Sequence, residues 1–273
     1  MAIIMYGKEA AAQIKAEVKA RIQEIGASPG LAVVIAGDDP ASRAYMNGKK
    51  KDCADCGMKS HEFALAADAG QEELLALLQE LNRRPDIHGI LLHLPLPPGF
   101  CEKTAINAIV HEKDVDNFLP CTPAGVIELL DFYGIDPAGK HCVVVGRSDI
   151  VGKPLAMMLL HRNATVTICH SRTRDLAAMT RQAAILVAAA GRPNLITADM
   201  VKPGAVVVDV AINRDTDGKL CGDVDYEAVK GVASHITPVP GGVGPMTRAI
   251  LMRNTIMAAA RYTYRRAELI SDL

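Results

Sequence analysis

The sequence predicts an α/β protein of two domains, the second built on a doubly wound parallel sheet, and three observations carry that expectation. Short apolar runs of strand length alternate with helical patterns, first widely and then closely spaced along the chain. One run, Cys142 to Val145, passes directly into a glycine-bounded turn and then a helical pattern. With 273 residues, 49% of them hydrophobic, the chain can bury one large core or two modest ones.

In the first half, Leu31 to Ala36 and Ile90 to Leu94 are the strand candidates, and Glu72 to Leu81 carries leucines at helical spacing between them. Asp39-Pro40 opens another helix, because Asp is a favourable N-cap and Pro fits the first helical position. That helix carries Tyr45 and Lys49 one turn apart, on one face. The second series of strands is Cys142 to Val145, Thr165 to Cys169, Ile185 to Ala189, Ala205 to Val210 and Ser234 to Thr237, most of them preceded by a helical segment. This is the rhythm of a doubly wound, Rossmann-like nucleotide-binding sheet. Helical segments Pro123 to Tyr133 and Pro245 to Arg261 flank the series and are expected to connect the domains, the last packing back on the first domain. The first domain is thus placed at residues 1–118, completed by helix 250–273, and the second at 119–249. A ligand cleft is expected between them, since inter-domain crevices and the carboxyl ends of parallel strands are where pockets form.

Composition excludes several functions. Lys and Arg (30) nearly cancel Asp and Glu (31), so no overall field draws in nucleic acid or an anionic membrane. The stretch from Met1 to Ile14 is broken by Lys8 and Glu9 and fits neither a signal peptide nor a membrane span, so a cytoplasmic protein is expected. Seven scattered cysteines argue against a disulfide framework. Cys53 and Cys56 have C-x-x-C spacing without a second pair or a His partner, so they are expected to be ordinary helix residues, and no metal cluster is apparent.

The turn Gly146-Arg-Ser-Asp-Ile-Val-Gly152 has the strand, glycine turn, helix order that lets backbone N–H groups face a pyrophosphate. Ser148 and Val151 stand where a G-x-G-x-x-G pattern has its second and third glycines, and a tight structural turn is the rival reading. The next strand ends in His170-Ser171-Arg172-Thr173-Arg174, without the acidic residue that binds a ribose 2′-hydroxyl in an NAD site. Ser171, Arg172 and Arg147 would welcome a 2′-phosphate, which favours NADP, and solvated loop arginines are the ordinary alternative. Like charge from Lys50 and Lys51 would lower the proton affinity of Lys49 if Lys49 faced a partly dry cleft while the other two reached solvent. A lysine tuned that way exchanges protons near neutral pH, whereas a solvated three-lysine face is the bland reading.

Five blocks in order carry a family resemblance: Tyr45-Met-Asn-Gly-Lys49, Gly89-Ile-Leu-Leu-His-Leu-Pro-Leu-Pro97, Lys113-Asp-Val-Asp116, Gly146 to Gly152, and Thr237-Pro-Val-Pro-Gly-Gly-Val-Gly-Pro-Met-Thr247. Cys121-Thr-Pro123, Ala164-Thr-Val-Thr167, Gly222-Asp-Val-Asp225 and Asn254-Thr255 agree with them. Along nearly its whole length the chain resembles the bifunctional methylenetetrahydrofolate dehydrogenase/cyclohydrolase family. That resemblance implies a folate-binding catalytic first domain and an NADP-binding second domain. It implies hydride transfer from 5,10-methylenetetrahydrofolate to NADP, then hydrolysis of the methenyl product to 10-formyltetrahydrofolate, and a homodimer formed through the nucleotide domain. By the same resemblance Lys49 is the proton-transfer residue of hydrolysis, Tyr45 stacks on the folate and Asp116 pairs with the pterin's amino edge. Leu92, His93 and Leu94 border the substrate, and Pro240, Gly241, Gly242, Val243 and Gly244 form a loop that closes over it. Gly146, Arg147, Ser148, Val151, Gly152, Ser171, Arg172 and Ile212 are assigned to the dinucleotide, Ile212 having plain core packing as its alternative.

Two positions depart from the family. Where it usually has Gln beside the lysine this chain has His93, and where it usually has Gly after Asp116 this chain has Asn117. Two rival functions follow, a monofunctional dehydrogenase that releases the methenyl compound, and a non-catalytic NADP-binding sensor. Retained Lys49 argues against the first, and the intact Tyr45, Lys49, Asp116 and 240–245 loop argue against the second.

Overall fold

The computed structural model describes residues 2–271 other than 27, 38, 39, 67, 117 and 118, with backbone alone for residues 40–45 and 262–271. The chain begins with β1 (Ile3–Ile4) and α1 (Gly7–Ile25), then runs through β2 (Gly30–Ala36), α2 (Pro40–Cys56), β3 (Lys59–Leu65), α3 (Gln71–Arg83), β4 (Gly89–Leu92) and α4 (Glu102–Asn107). Next come α5 (Cys121–Phe132), β5 (His141–Val145), α6 (Gly152–His161), β6 (Thr165–Cys169), α7 (Leu176–Thr180) and β7 (Ile185–Ala188). A 3-10 turn at Ala198–Met200 precedes β8 (Val206–Asp209), the hairpin of β9 (Asn213–Arg214) and β10 (Leu220–Cys221), α8 (Tyr226–Val229), β11 (His235–Ile236) and α9 (Val243–Ser271). These elements form two compact α/β units, residues 13–119 with 251–273, and residues 1–12 with 120–250.

The 13–119 unit holds a parallel sheet of order β3-β2-β4. Central β2 is buried on both faces, which is why it reads as an unbroken apolar run. Leu74, Leu78 and Leu81 of α3, at i, i+4 and i+7, pack on Ala32, Val34, Ile90 and Leu92 of the sheet. β3 is an edge strand of mixed polarity, Lys-Ser-His-Glu-Phe-Ala-Leu, and its sequence shows no strand signal. Beside β4 the chain returns as an extra strand-like segment. Ile90 N–H donates to the Lys113 carbonyl (2.7 Å), and Ile90 and Asp114 form a parallel bridge. The buried Lys113 ammonium donates to the carbonyls of Leu81 (3.2 Å) and Arg84 (2.7 Å), so a cation closes the carboxyl end of α3 and anchors the segment that leads to Asp116. Burial lowers the pKa of this lysine.

The 120–250 unit holds a six-stranded parallel sheet of order β1-β11-β8-β7-β5-β6. Its chain order reverses at β5, which lies between β6 and β7, and this makes the carboxyl ends of β5 and β7 a topological switch point. Val143, Val145, Leu186, Val207 and Ile236 fill one face of the sheet.

Two details differ from the sequence reading. Residues 1–12 belong with the nucleotide-type sheet rather than with the first domain, because β1 pairs in register with β11, Ile3 against His235 and Ile4 against Ile236. Helix α5 does not connect the units. It lies wholly within the 120–250 unit, where a Cβ on Gly125 would come within 2.9 Å of the Met246 Cβ. The helices with residues in both units are α1 and α9.

The later part of α9 docks on the 13–119 unit through Asn254, which is 1% exposed and donates its amide to the carbonyls of Val115 and Leu119, both at 2.8 Å. Replacing Asn254 with Leu removes this donor from two carbonyls and should lower the free energy of unfolding by about 1–3 kcal/mol. Urea unfolding checks this through a lowered midpoint at unchanged slope, and an unmoved midpoint would show that Asn254 is not what ties α9 to the segment after Lys113.

Candidate functional site

On α2 the three-lysine run divides. Lys49 is 3% exposed, whereas Lys50 reaches solvent and pairs with Glu62 at 3.3 Å, and Lys51 is exposed. A lysine so far removed from water is uncommon, which sets Lys49 apart from a solvated charged face. The backbone places Tyr45 one turn before it, and the Tyr45 side chain lies outside the described residues, as do Asp39 and Asn117. His93 follows β4 directly. Its N–H donates to the Val34 carbonyl (2.9 Å), extending the β2–β4 ladder by one step, and its ring is half-buried. Leu92 is buried, and Leu94 is half-buried ahead of a cis bond to Pro95. Asp116 is half-buried, two residues beyond the Ile90–Asp114 bridge. The sheet thus carries His93 at its carboxyl end, and α2, which opens from that end of β2, carries Lys49.

The same helix settles the C-x-x-C pair. Both sulfurs are buried, and burial pushes the thiol of Cys53 up to about 12 and that of Cys56 up to about 11, so neither supplies a reactive thiolate. Among the described residues no group of three His, Cys, Asp or Glu side chains is placed to hold a metal.

In the 120–250 unit the glycine turn closes on the switch point. Gly146 has φ +136°, and a Cβ there would stand 2.1 Å from the Ala189 carbonyl oxygen, just past β7. A Cβ on Gly152 would stand 2.3 Å from the Gly146 oxygen. Both glycines are therefore demanded by close backbone approach. Ser148, where the usual pattern has glycine, uses its hydroxyl to accept from the N–H groups of Val151 and Gly152, both at 3.2 Å, and so braces the turn that enters α6. Arg147 and Ser148 are exposed, and Val151 is half-buried. After β6, His170 N–H donates to Thr173 Oγ1 (2.9 Å) and Arg172 N–H to His170 Nδ1 (3.1 Å), a tight turn that leaves Ser171 and Arg172 exposed.

Two buried carboxylates that the sequence reading did not single out shape the rest of this edge. Asp223, fully buried, accepts from the N–H groups of Ala190 (2.6 Å), Gly191 (3.0 Å) and Arg192 (2.6 Å) and from Asn213 Nδ2 (2.9 Å). It ties the loop after β7 to the start of β9. Asp209, at the end of β8, accepts from the N–H groups of Ala211 (3.2 Å), Asp223 (3.1 Å) and Val224 (2.8 Å). A Cβ on Gly222 would overlap the Asp209 carboxylate at 1.9 Å, so the glycine before Asp223 was the available sequence signal. Burial, against those backbone donors, pushes the Asp209 carboxyl up to about 7. Ile212, just beyond, is 62% exposed, which excludes core packing as its role.

The glycine loop after β11 is held from both sides. Thr237 Oγ1 accepts from Asp209 N–H (2.7 Å), Gly242 N–H donates to the Pro238 carbonyl (2.9 Å), and Gly7 N–H donates to the Gly241 carbonyl (2.9 Å). Pro240 is exposed, Gly241 has φ +109°, and Val243 and Gly244 already belong to the first turn of α9.

A parallel sheet whose strand order reverses beside such a turn defines the 120–250 unit as a dinucleotide-binding domain of the Rossmann-like kind. Comparison with known proteins carries this further. Residues 5–116 match the catalytic domain of tetrahydrofolate dehydrogenase/cyclohydrolase, and residues 120–263 match its NAD(P)-binding domain. The bifunctional protein FolD of Moorella thermoacetica is 55% identical over 94% of this chain and 99% of its own, and that of Acetivibrio thermocellus is 52% identical over 94% and 96%. The structure of bifunctional FolD from Campylobacter jejuni has a TM-score of 0.92 at 46% identity, covering 96% of this chain and 99% of that one. The Trypanosoma brucei dehydrogenase-cyclohydrolase, solved with NADP and an inhibitor, has a TM-score of 0.91 at 36% identity, covering 96% and 98%. The chain belongs to the tetrahydrofolate dehydrogenase/cyclohydrolase family.

The raised Asp209 carboxyl predicts a pH dependence of stability. Its folded value of about 7 lies above the unfolded value of about 3.9, so between them the folded chain holds a proton that the unfolded chain has lost. Its contribution is fully present below about pH 4 and is lost as pH rises towards 7. Between pH 5 and 7 the melting temperature of the unmodified chain should therefore fall by roughly 5 °C more than that of Asp209→Asn. Parallel melting curves for the two proteins would contradict the assignment.

Proposed function

We propose that the chain oxidises 5,10-methylenetetrahydrofolate to the 5,10-methenyl compound with NADP and hydrolyses it to 10-formyltetrahydrofolate, with Lys49 moving the proton in the second step. Membership of the family makes it an enzyme with dehydrogenase and cyclohydrolase activities and NADP as its cofactor, which disfavours a monofunctional dehydrogenase or a non-catalytic sensor. The observation that carries the assignment of Lys49 is its burial on α2 beside two lysines that reach solvent.

The close approach of Gly146 to the Ala189 carbonyl packs the turn against the loop after β7 and leaves Arg147 and Ser148 exposed at the switch point, a surface that fits a dinucleotide. When bound there, NADP supplies a hydride acceptor. The turn from Gly146 to Gly152 lies against the pyrophosphate with Ser148 at its exposed tip, while Gly146, Val151 and Gly152 shape it, their N–H groups donating to the Cys169 carbonyl and the Ser148 hydroxyl. Exposed Arg147, Ser171 and Arg172, with no carboxylate among residues 170–174, suit the 2′-phosphate, and exposed Ile212 offers an apolar surface to the dinucleotide.

In hydrolysis a water oxygen bonds to the bridging methenyl carbon and the bond from that carbon to N5 breaks, leaving the formyl group on N10. Neutral Lys49 takes one proton from the attacking water and passes it to N5, and the second water proton leaves to solvent as the formyl C=O forms. Tyr45 stacks on the flat pterin, and the Asp116 carboxylate accepts from the two N–H donors of its amino edge. His93 stands where the family has Gln and offers Lys49 an acceptor while one ring nitrogen is unprotonated. Leu92 and Leu94 supply apolar contact, and Pro240, Gly241, Gly242, Val243 and Gly244 offer the folate a backbone surface already fixed by hydrogen bonds.

The reading extends to a cytoplasmic homodimer joined through the 120–250 unit. No helix among the described residues is long and apolar enough to cross a membrane, the described cysteines are free thiols, and β6 ends the sheet as an edge strand.

Lys49→Met tests the division of labour. Hydrolysis of methenyltetrahydrofolate should fall by about 10²–10⁴-fold, while NADP reduction with methylenetetrahydrofolate stays within about tenfold, because hydride passes to the cofactor without a protein base. If both activities disappear in a folded variant that still binds folate, the assignment of Lys49 is wrong.

A further inference from the structure

At the opposite end of the six-stranded sheet from the glycine turn, the 120–250 unit contains a cavity of about 460 Å³. It lies where β7, β8 and β11 begin and just before β5, so it is no part of the cofactor edge, which lies at the carboxyl ends of the strands. The volume is within the range of organic-ligand pockets. Its polar groups are cationic or hydrogen-bonding, from Lys140, Lys202, Ser234 and His235, and no Asp or Glu lines it.

Backbone hydrogen bonds hold the main chain from which these groups project. Lys140 sits in the turn before β5, with its N–H donating to Pro137 (3.0 Å) and its carbonyl accepting from Thr165 (2.9 Å). Lys202 sits in the turn before β8, its carbonyl accepting from Ala205 N–H (3.0 Å). Neither ammonium meets a carboxylate within 4.0 Å among the described residues, whereas Lys15, Lys50 and Lys153 each do. Ser234 Oγ donates to the Ala205 carbonyl (3.3 Å) and lies 3.0 Å from His235 Nδ1, so it accepts from that nitrogen and leaves Nε2 as the ring's second polar atom. Burial lowers the pKa of this histidine, which favours the neutral ring. Along the wall the Tyr133 ring is held in place by its hydroxyl, which donates to the Tyr6 carbonyl (3.2 Å), and by edge contact with Phe132 (5.3 Å, 71°). Two exposed lysines without a carboxylate partner among the described residues, lining one cavity with an aromatic wall, call for a compact dianion joined to a flat apolar group.

We propose that this cavity binds a small aryl or heterocyclic phosphate monoester, its phosphate between Lys140, Lys202 and His235 and its ring against Tyr133. The site is separate from the proposed folate and cofactor residues, so its occupancy does not require catalysis.

Phenyl phosphate is a suitable probe, titrated calorimetrically into the full chain saturated with NADP so that the glycine turn is already filled. One saturable site per chain is expected, weakened about tenfold or more by Lys140→Ala and by Lys202→Ala, with inorganic phosphate binding less tightly than phenyl phosphate. Dehydrogenase activity of both variants, measured without the probe, should equal that of the unmodified chain. The proposal is overturned if the NADP-loaded chain shows no saturable binding, if the double variant binds as tightly as the unmodified chain, or if either substitution abolishes the basal activity.

Discussion

The contact between the backbone at Gly146 and the carbonyl of Ala189 is the constraint from which the nucleotide-type unit is organised. Parallel strands β5 and β7 can bring the chain this close only where no side chain intervenes, and a Cβ at Gly146 would lie 2.1 Å from that oxygen. The approach then sets the start of α6, because Gly152 must pass equally close to Gly146 and Ser148 must turn its hydroxyl onto the first N–H groups of the helix. On the other side of the contact, the loop from Ala190 to Arg192 is held open by Asp223, whose carboxylate takes three consecutive N–H groups. A buried carboxylate with four donors is costly to place in the interior and rigid once placed. The edge where the dinucleotide is proposed to lie is therefore preorganised by backbone geometry and by two buried acids.

In the other unit a lysine plays the corresponding part. Lys113 gives up solvent to close the carboxyl end of α3, and through its own carbonyl it aligns the segment leading to Asp116 beside β4. The ammonium of Lys49 is buried as well, on a helix whose neighbouring lysines are not. The two buried lysines sit in different settings. Lys113 donates to two helix carbonyls, and Lys49 is followed by two exposed lysines and preceded one turn earlier by Tyr45.

Most of the nucleotide-type sheet was legible because its strands are buried on both faces and so appear as continuous apolar runs. Edge strand β3 was not, since Lys59, Ser60, His61 and Glu62 interrupt any alternation. Helix α1 could have been found: Ala10, Ala11, Ile14, Val18 and Ile22 are all buried at helical spacing, and only the smallness of the alanines hid the stripe. Strand β1 could not, because two residues pair with a partner more than two hundred positions away. The turn at Gly146 and the lysine run were visible as motifs. The roles of Asp209 and Asp223 depend on which backbone N–H groups the fold delivers to them, and local sequence carries no record of that beyond the glycine at 222.

Equilibrium binding of NADP to Gly146→Ala tests the central claim most directly, with Gly139→Ala as control, since Gly139 also has a positive φ but faces open space. If backbone approach at the switch point builds the cofactor edge, the first variant binds NADP at least about tenfold more weakly while the second binds as the unmodified chain does. A folded Gly146→Ala protein with undiminished NADP affinity would contradict it.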